Sequence, residues 1–288
     1  MKLKFYVLTS RDFKALLRHN SPEYSNIPKE DTVIVINSLS KAYEEKVKAH
    51  CEKEEIEYYI TESNGTPAKG KNLVLDLFLA SDNDYCVLVD GDDYLTAQGV
   101  KVYKDIANLS TPPDVVCLKN QVGMSKGKRT KPFTVNYKAL IKDFNYEKLK
   151  KYAGHNHQTA LRFALWRQKY FMMQRDYSEG SEIQCRVTWY SKEAAKFKFD
   201  EELVIGEDAL QMLRLKHEAL INNLNMYTYN ENPVSYIYNY TVNGTLCQVT
   251  NNMTNFEWLK PYLTKIKEMK AAGQLHKNTT LPTLQVYK

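Results

Sequence analysis

Three neighbouring aspartates carry the sharpest chemical signal in the sequence. The run Tyr85-Cys-Val-Leu-Val-Asp-Gly-Asp-Asp-Tyr94 is apolar through Val89, then turns acidic at Asp90, Asp92 and Asp93. Carboxylates this close repel one another. A hard divalent cation such as Mg²⁺ or Mn²⁺ relieves that repulsion and can bridge to substrate phosphates. The chemistry expected is metal-assisted handling of a diphosphate; the simpler alternative is an acidic Asp-Gly turn after a strand. A second acidic pair, Glu207-Asp208, follows Gly206 at the start of a helical pattern. An anion there is partly stabilised by the helix terminus, and a carboxylate can take the proton of a hydroxyl that must become a nucleophile. The alternative is that both residues only favour the helix start.

The elements that position these groups follow from periodicity. An unbroken apolar run reads as a strand buried on both faces. Its C-terminal end is where open α/β sheets bind ligands. Before it, strands at 3–9, 32–37 and 57–61 alternate with helices. One helix opens at Asp12 with Phe13, Leu16 and Leu17 on one face, a second covers 41–55, and a third follows the polar loop 63–72 and carries Leu73, Val74, Leu77 and Phe78. A helix at 99–109 and a strand at 114–119 add another unit. This alternation predicts βαβ units, right-handed crossovers and a mostly parallel sheet flanked by helices.

Beyond it, the pattern predicts a basic loop at 120–134, a basic aromatic helix at 158–175 (Phe163, Trp166, Tyr170, Phe171) and a strand at 183–190. The helix after Gly206 bears Leu210, Leu213, Leu220 and a core histidine, His217. Short strands at 226–229 and 234–239 precede a last helix, opened by the capping box Thr254-x-x-Glu257 and reaching about Met269. The tail from Gln274 reads as frayed. The division expected is a catalytic domain over 1–220, in halves 1–120 and 121–220, with a small helical and aromatic extension at 221–288.

Composition narrows the class. The chain of 288 residues is 43% hydrophobic and 26% charged, which is globular. No stretch reads as a membrane span or a signal peptide, so a cytoplasmic protein is expected. Five cysteines, scattered and without a C-x-x-C, read as reduced thiols. Charge is segregated. Residues 115–175 hold fourteen Lys and Arg against two acids, Asp143 and Glu147, a surplus of +12; with +6 overall, the remainder carries −6. A polyanionic partner fits that segregation, and a solvated lysine-rich surface is the alternative.

With these pieces placed, the chain resembles glycosyltransferases of the GT-A fold, family-2 type. The matching features are a first strand ending in Thr9-Ser10-Arg11, Gly65-x-x-Ala68-Lys69-Gly70-Lys71-Asn72 before a helix, Leu-Val-Asp90-Gly91-Asp92-Asp93, and Gly206-Glu207-Asp208 opening a later helix. They span roughly 3–220. Two features depart from the pattern. The second strand ends in Asn37-Ser38 where the family has a base-reading Asp, and the family's Ala-Arg-Asn is here Ala68-Lys-Gly-Lys-Asn72.

The resemblance implies Mn²⁺ or Mg²⁺ on Asp92 with Asp93 or Asp90 assisting, Asp90 alternatively holding the ribose. It implies a nucleotide-diphosphate sugar near Thr9, Ser10, Arg11, Asn37, Asn64, Gly65, Lys69, Lys71, Asn72, Asp90 and Gly91. Asp208, or second Glu207, is the general base of an inverting transfer. His155 and His157 could complete the metal shell or touch diphosphate; one residue apart on a strand, they point to opposite faces. Arg186 and Trp189 are candidates for acceptor or diphosphate contact, Trp189 as a stacking wall or as core filler.

Composition rich in Tyr, Asn and Lys, and the run 181–191, are also similar to the sugar transferases of T-even-type bacteriophages that modify hydroxymethylcytosine in DNA. That likeness implies UDP-glucose as donor, a hexose or pentose moved to hydroxymethylcytosine or its attached glucose, and double-stranded DNA gripped by Lys126, Lys128, Arg129, Lys131, Arg162 and Arg167. A monomer or weak homodimer in the host cytoplasm is expected. The alternatives are a family-2 enzyme acting on a cell-surface glycan, a nucleotidyltransferase, and a DNA-binding module without catalysis.

Overall fold

Val and Ile fill Thr32–Ile36 so densely that both faces of the strand must be covered, and all five residues are buried. The computed structural model describes residues 1–22, 25–118, 120–124, 170–174, 186–203, 206–229, 236–239, 259–275 and 285–287. Strands β1 (Leu3–Thr9), β2 (Thr32–Ile36), β3 (Glu57–Ile60) and β4 (Tyr85–Asp90) run parallel, with β4 beside β1 and β2 on its other side. Further along the chain come β5 (Tyr94–Leu95), β6 (Val115–Leu118), β7 (Asn120–Met124), β8 (Tyr170–Gln174), β9 (Arg186–Ser191), β10 (Met226–Tyr229), β11 (Tyr236–Asn239) and β12 (Gln285–Tyr287). The main sheet has eight strands in the order β12-β10-β6-β9-β4-β1-β2-β3. Strand β9 runs antiparallel to both β4 and β6, so the sheet is mixed rather than wholly parallel. A smaller sheet has the order β5-β11-β7-β8.

Helices cover both faces. They are α1 (Phe13–Leu16), α2 (Lys41–Glu54), α3 (Pro67–Ala80), α4 (Ala97–Ala107), α5 (Lys192–Ala195), α6 (Glu207–Asn222) and α7 (Leu259–Ala271). On one face Phe5, Val7, Ile34, Ile36, Val87 and Val89 meet Val47 and Cys51 of α2 and Val102, Tyr103 and Ile106 of α4. On the other, Tyr6, Val33, Val35 and Leu88 meet Val74, Leu75 and Phe78 of α3 and Met212, Leu215 and Ala219 of α6. The alternation along each strand decides which residue joins which cluster. No helix among the described residues is long and apolar enough to cross a membrane.

Several expectations change. The polar stretch expected as a loop to 72 is helical from Pro67, because Thr66 caps the Lys69 N–H and Pro67 suits the first turn. Leu17 lies past the end of α1 and is exposed. Residues 120–124 form a strand instead of a loop, and 170–174 a strand instead of a helix end, because β7 and β8 pair antiparallel. The pairing overrides a locally helical pattern. Part of the tail is also ordered, since β12 pairs parallel with β10. The capping box at Thr254 and Glu257 lies outside the described residues.

Trp189 belongs to the core. It is fully buried, stacks on Tyr85 at 4.7 Å and on Tyr103 at 6.1 Å, and its indole N–H donates to the Pro113 carbonyl at 2.9 Å. β9 carries it onto the core face of the sheet, against Tyr103 of α4, where its ring is shielded from solvent and fills the core rather than walling a substrate. Trp189→Ala is expected to cost about 3–5 kcal/mol of stability, measured as a lower urea midpoint, with Trp189→Phe recovering most of the loss.

Candidate active site

β4 delivers the three aspartates, and Gly91 makes their turn possible. The Gly91 N–H donates to the Leu8 carbonyl at 2.6 Å. A Cβ at position 91 would sit 2.8 Å from that same oxygen and 2.8 Å from Thr9 Cβ. Only glycine lets the acidic turn lie this close to the end of β1. Asp93 N–H then donates back to the Asp90 carbonyl at 2.9 Å. The result is a cluster in which one ligand atom each from Asp90, Asp92 and Asp93 lies within 4.8 Å of the others. All-oxygen donors at that separation suit a hard divalent cation.

Two residues without a sequence signal buttress this turn. Tyr236 on β11 is fully buried and donates its hydroxyl to Asp93 Oδ2 at 2.8 Å. β5, which follows Asp93 directly, pairs with β11 and carries the tyrosine into place. On the other side, His19 Nε2 lies 3.2 Å from the Gly91 carbonyl. A carbonyl only accepts, so Nε2 carries a proton. His19 Nδ1 has no hydrogen-bond partner among the described residues, and the ring packs against Tyr94, whose hydroxyl accepts from Arg18 at 2.8 Å.

The second acidic pair reaches the same edge of the sheet through α3. Gly70 packs against the ends of β1 and β2, where an added Cβ would meet Leu8 Cδ1 at 3.0 Å and Asn37 Cγ at 3.2 Å. The next residue, Lys71, is 1% exposed. Its ammonium donates to Glu207 Oε1 at 2.8 Å and to Asp208 Oδ1 at 2.6 Å, both in the first turn of α6. Gly206, at φ 87°, provides the left-handed residue that opens α6. Burial pushes the Glu207 carboxyl above its ordinary value and Asp208 adds to the rise, against the opposing pull of Lys71. Asp208 keeps 31% side-chain exposure, against 9% for Glu207. The glutamate is thus the anchor and the aspartate the accessible carboxylate.

The remaining candidates sort by geometry. Ser10 and Arg11 are exposed just past β1. Thr9 is buried and bonds the Tyr43 hydroxyl. Burial raises the Tyr43 phenol to about 12, the Thr9 bond opposing and Asp12 and Asp92 adding. Asn37 gives its amide to Thr61 Oγ1 at 2.8 Å and the Glu62 carbonyl at 3.3 Å, so it ties β2 to the end of β3. Asn64 accepts from the Thr66 N–H and hydroxyl, with Gly65 at φ 81° between them. Lys69 lies 3.7 Å from Glu201.

Asn72 is buried and holds the segment before α6, donating to the Phe199 carbonyl at 3.0 Å and to Glu201 Oε1 at 2.8 Å and accepting from the Phe199 N–H at 2.7 Å. These bonds engage Lys71 and Asn72 inside the protein, in place of the open loop expected to face a nucleotide sugar. His217 is buried on α6, as expected. Arg186 stands at the start of β9. His155, His157, Lys126, Lys128, Arg129, Lys131, Arg162 and Arg167 lie outside the described residues.

No protein-family model matches the chain, and no curated protein matches it. Solved structures with a similar outline include residues 1–349 of S. aureus TarS in complex with UDP-GlcNAc, at 16% identity and a TM-score of 0.48, covering 84% of this chain and 60% of that one. Another is the mannosyltransferase PcManGT from Pyrobaculum calidifontis in complex with GDP-Man and Mn²⁺, at 12% identity and a TM-score of 0.42, covering 94% and 71%. A putative glucose-1-phosphate thymidylyltransferase from Bacillus anthracis matches at 12% identity and a TM-score of 0.40, covering 89% and 98%. At these scores the likeness is one of outline, and function rests on the side chains.

Burial lowers His19 from 6.5 to about 4, the bond to the Gly91 carbonyl opposing. The unfolded chain therefore binds the extra proton first as pH falls. The stability held by a neutral His19 is present above about pH 6.5 and is lost on the way down to pH 4, on the order of 3 kcal/mol. His19→Gln is expected to flatten the acid limb of stability over that window, measured by urea unfolding at a series of pH values.

Proposed function

We propose that the chain is a metal-dependent, inverting glycosyltransferase of GT-A type that uses a nucleotide-diphosphate sugar. The observation that carries this reading is that two different carboxylate groups gather near the C-terminal end of β1, one on the Gly91 turn and one held by Lys71 next to Gly70. Asp90, Asp92 and Asp93 offer clustered oxygens suited to a cation. Asp208 offers a half-exposed carboxylate held by a buried lysine. A site of this kind has one part for a departing diphosphate and another for an acceptor proton.

The residues present fit Mn²⁺ or Mg²⁺: three carboxylates, no thiolate or imidazole among them, and one already oriented by Tyr236. Asp92 and Asp90, both half-buried, would hold the ion, with Asp93 fixed behind them. When bound, the ion supplies Lewis-acid neutralisation of the leaving phosphates. Ser10, Arg11 and the Asn64–Lys69 stretch are the residues we assign to the nucleotide sugar. Asp208 takes the proton of the acceptor hydroxyl while its oxygen bonds to the anomeric carbon from the face opposite the diphosphate, so configuration inverts.

The acceptor we infer is a hydroxyl of hydroxymethylcytosine, or of glucose already attached to it, in double-stranded DNA. Support comes from the +12 surplus over 115–175, which suits phosphate backbone contacts. UDP-glucose is the donor suggested by the phage-enzyme resemblance, and the host cytoplasm is where such DNA is met. The catalytic unit is taken as 1–220, with 221–288 joined to it through β10, β11 and β12.

Incubation with a panel of nucleotide sugars and hydroxymethylcytosine DNA, bare or pre-glucosylated, tests this reading by the mass of the released nucleosides. A new hexose or pentose on the modified base is the expected result; transfer only to a glycan acceptor would overturn the DNA part. Asp92→Ala should abolish transfer with circular dichroism unchanged, and normal turnover would overturn the metal assignment. Asp208→Asn should slow transfer by about 10²–10⁴-fold while calorimetry still shows nucleotide-sugar binding; an unchanged rate would move the base elsewhere.

A further inference from the structure

We propose that Lys71 is the positioning residue for the proton-accepting carboxylate: one buried ammonium, shared between Glu207 and Asp208, keeps both ionised and fixes Asp208 in place. The inference rests on the glycosyltransferase reading above and assigns Lys71 a role on the acceptor side instead of on the diphosphate.

The geometry is specific. Lys71 Nζ stands 2.8 Å from Glu207 and 2.6 Å from Asp208, with its side chain 2% exposed. The ammonium also lies 5.4 Å from the centre of the Phe199 ring. Asn72, the next residue, holds the Phe199 backbone in both directions. The rigid face of α3 is therefore bolted to the first turn of α6 at the point where the base sits.

The charge count gives this arrangement its consequence. Two carboxylates side by side in a half-buried site would share a proton, and the base would be spent before an acceptor arrived. With Lys71 between them the resting trio carries −1. As the acceptor oxygen bonds to the anomeric carbon and the sugar–phosphate bond breaks, the acceptor proton passes to Asp208 and the diphosphate leaves with the bonding electrons. The trio then stands at 0, and Asp208 returns its proton to water.

Neighbouring charges on the packed elements largely answer one another. On α3 and the 196–202 segment, Lys69 lies 3.7 Å from Glu201, and Lys198 pairs with Asp76 at 2.7 Å. Arg214 of α6 donates to the Lys198 carbonyl. Lys216 and His217 are buried further along α6.

The test is kcat and KM against pH for wild type, Lys71→Arg, Lys71→Met and the double variant Lys71→Met/Glu207→Gln, with folding followed by circular dichroism. In Lys71→Met the acid limb of kcat should move up by about one pH unit or more. The maximal kcat should fall by about tenfold or more. KM for the nucleotide sugar should stay within about twofold. Lys71→Arg should keep the wild-type limb. The double variant, which removes the buried anion together with the cation, should fold and bring the limb back toward wild type. A raised KM with an unmoved limb would overturn the proposal and return Lys71 to the diphosphate. So would a double variant no better than Lys71→Met, or one that fails to fold. Wild type that neither binds nor transfers any nucleotide sugar would overturn the enzymatic reading itself, before any variant is compared.

Discussion

The contact between the Gly91 turn and the end of β1 constrains everything at the working edge of the sheet. With the Gly91 nitrogen 2.6 Å from the Leu8 carbonyl oxygen, no side chain fits at position 91, and the acidic turn is pressed against the end of β1. The same end of β1 receives Gly70 of α3, which brings Lys71 and through it the start of α6. Gly70 and Gly91 thus bring two acidic groups toward one strand end. The cost of glycine in an ordered element, roughly 0.5–1 kcal/mol, is offset by burial of the helix and the turn against the sheet.

The two acidic groups differ in how their charge can be answered. The aspartates at the end of β4 cluster with one another, and a hard cation suits them. The pair at the start of α6 has its cation built in, because Lys71 is covalently part of α3. A built-in charge is always present, whereas an ion is exchangeable.

Much of the fold was legible because the apolar strands leave no choice. β1, β2 and β4 are continuous hydrophobic runs bounded by polar turns, and their parallel order follows from the helices between them. The aspartates after β4 were legible for the same reason, standing where such a run ends, and Glu207-Asp208 was legible as an acidic pair after Gly206 at the start of a helical pattern. What was hidden depends on partners distant in sequence. β7 and β8 form only because they meet each other, and Tyr170–Gln174 alone looks helical. Tyr236 looks like another aromatic in a short strand until β5 brings Asp93 to its hydroxyl. Lys71 sits in a stretch whose glycine and polar residues suggest a loop, and only the Thr66–Pro67 start shows that it must be a helix with an inward lysine.

The hydroxyl that orients Asp93 comes from 143 residues downstream. During synthesis the ribosome completes β4 and the acidic turn long before Tyr236 emerges. A nascent chain can therefore bury its first strands while its third aspartate still lacks the hydrogen bond that aims it. The site is thus complete only once β11 has joined β5, and the small sheet becomes a condition for the acidic turn of the large one.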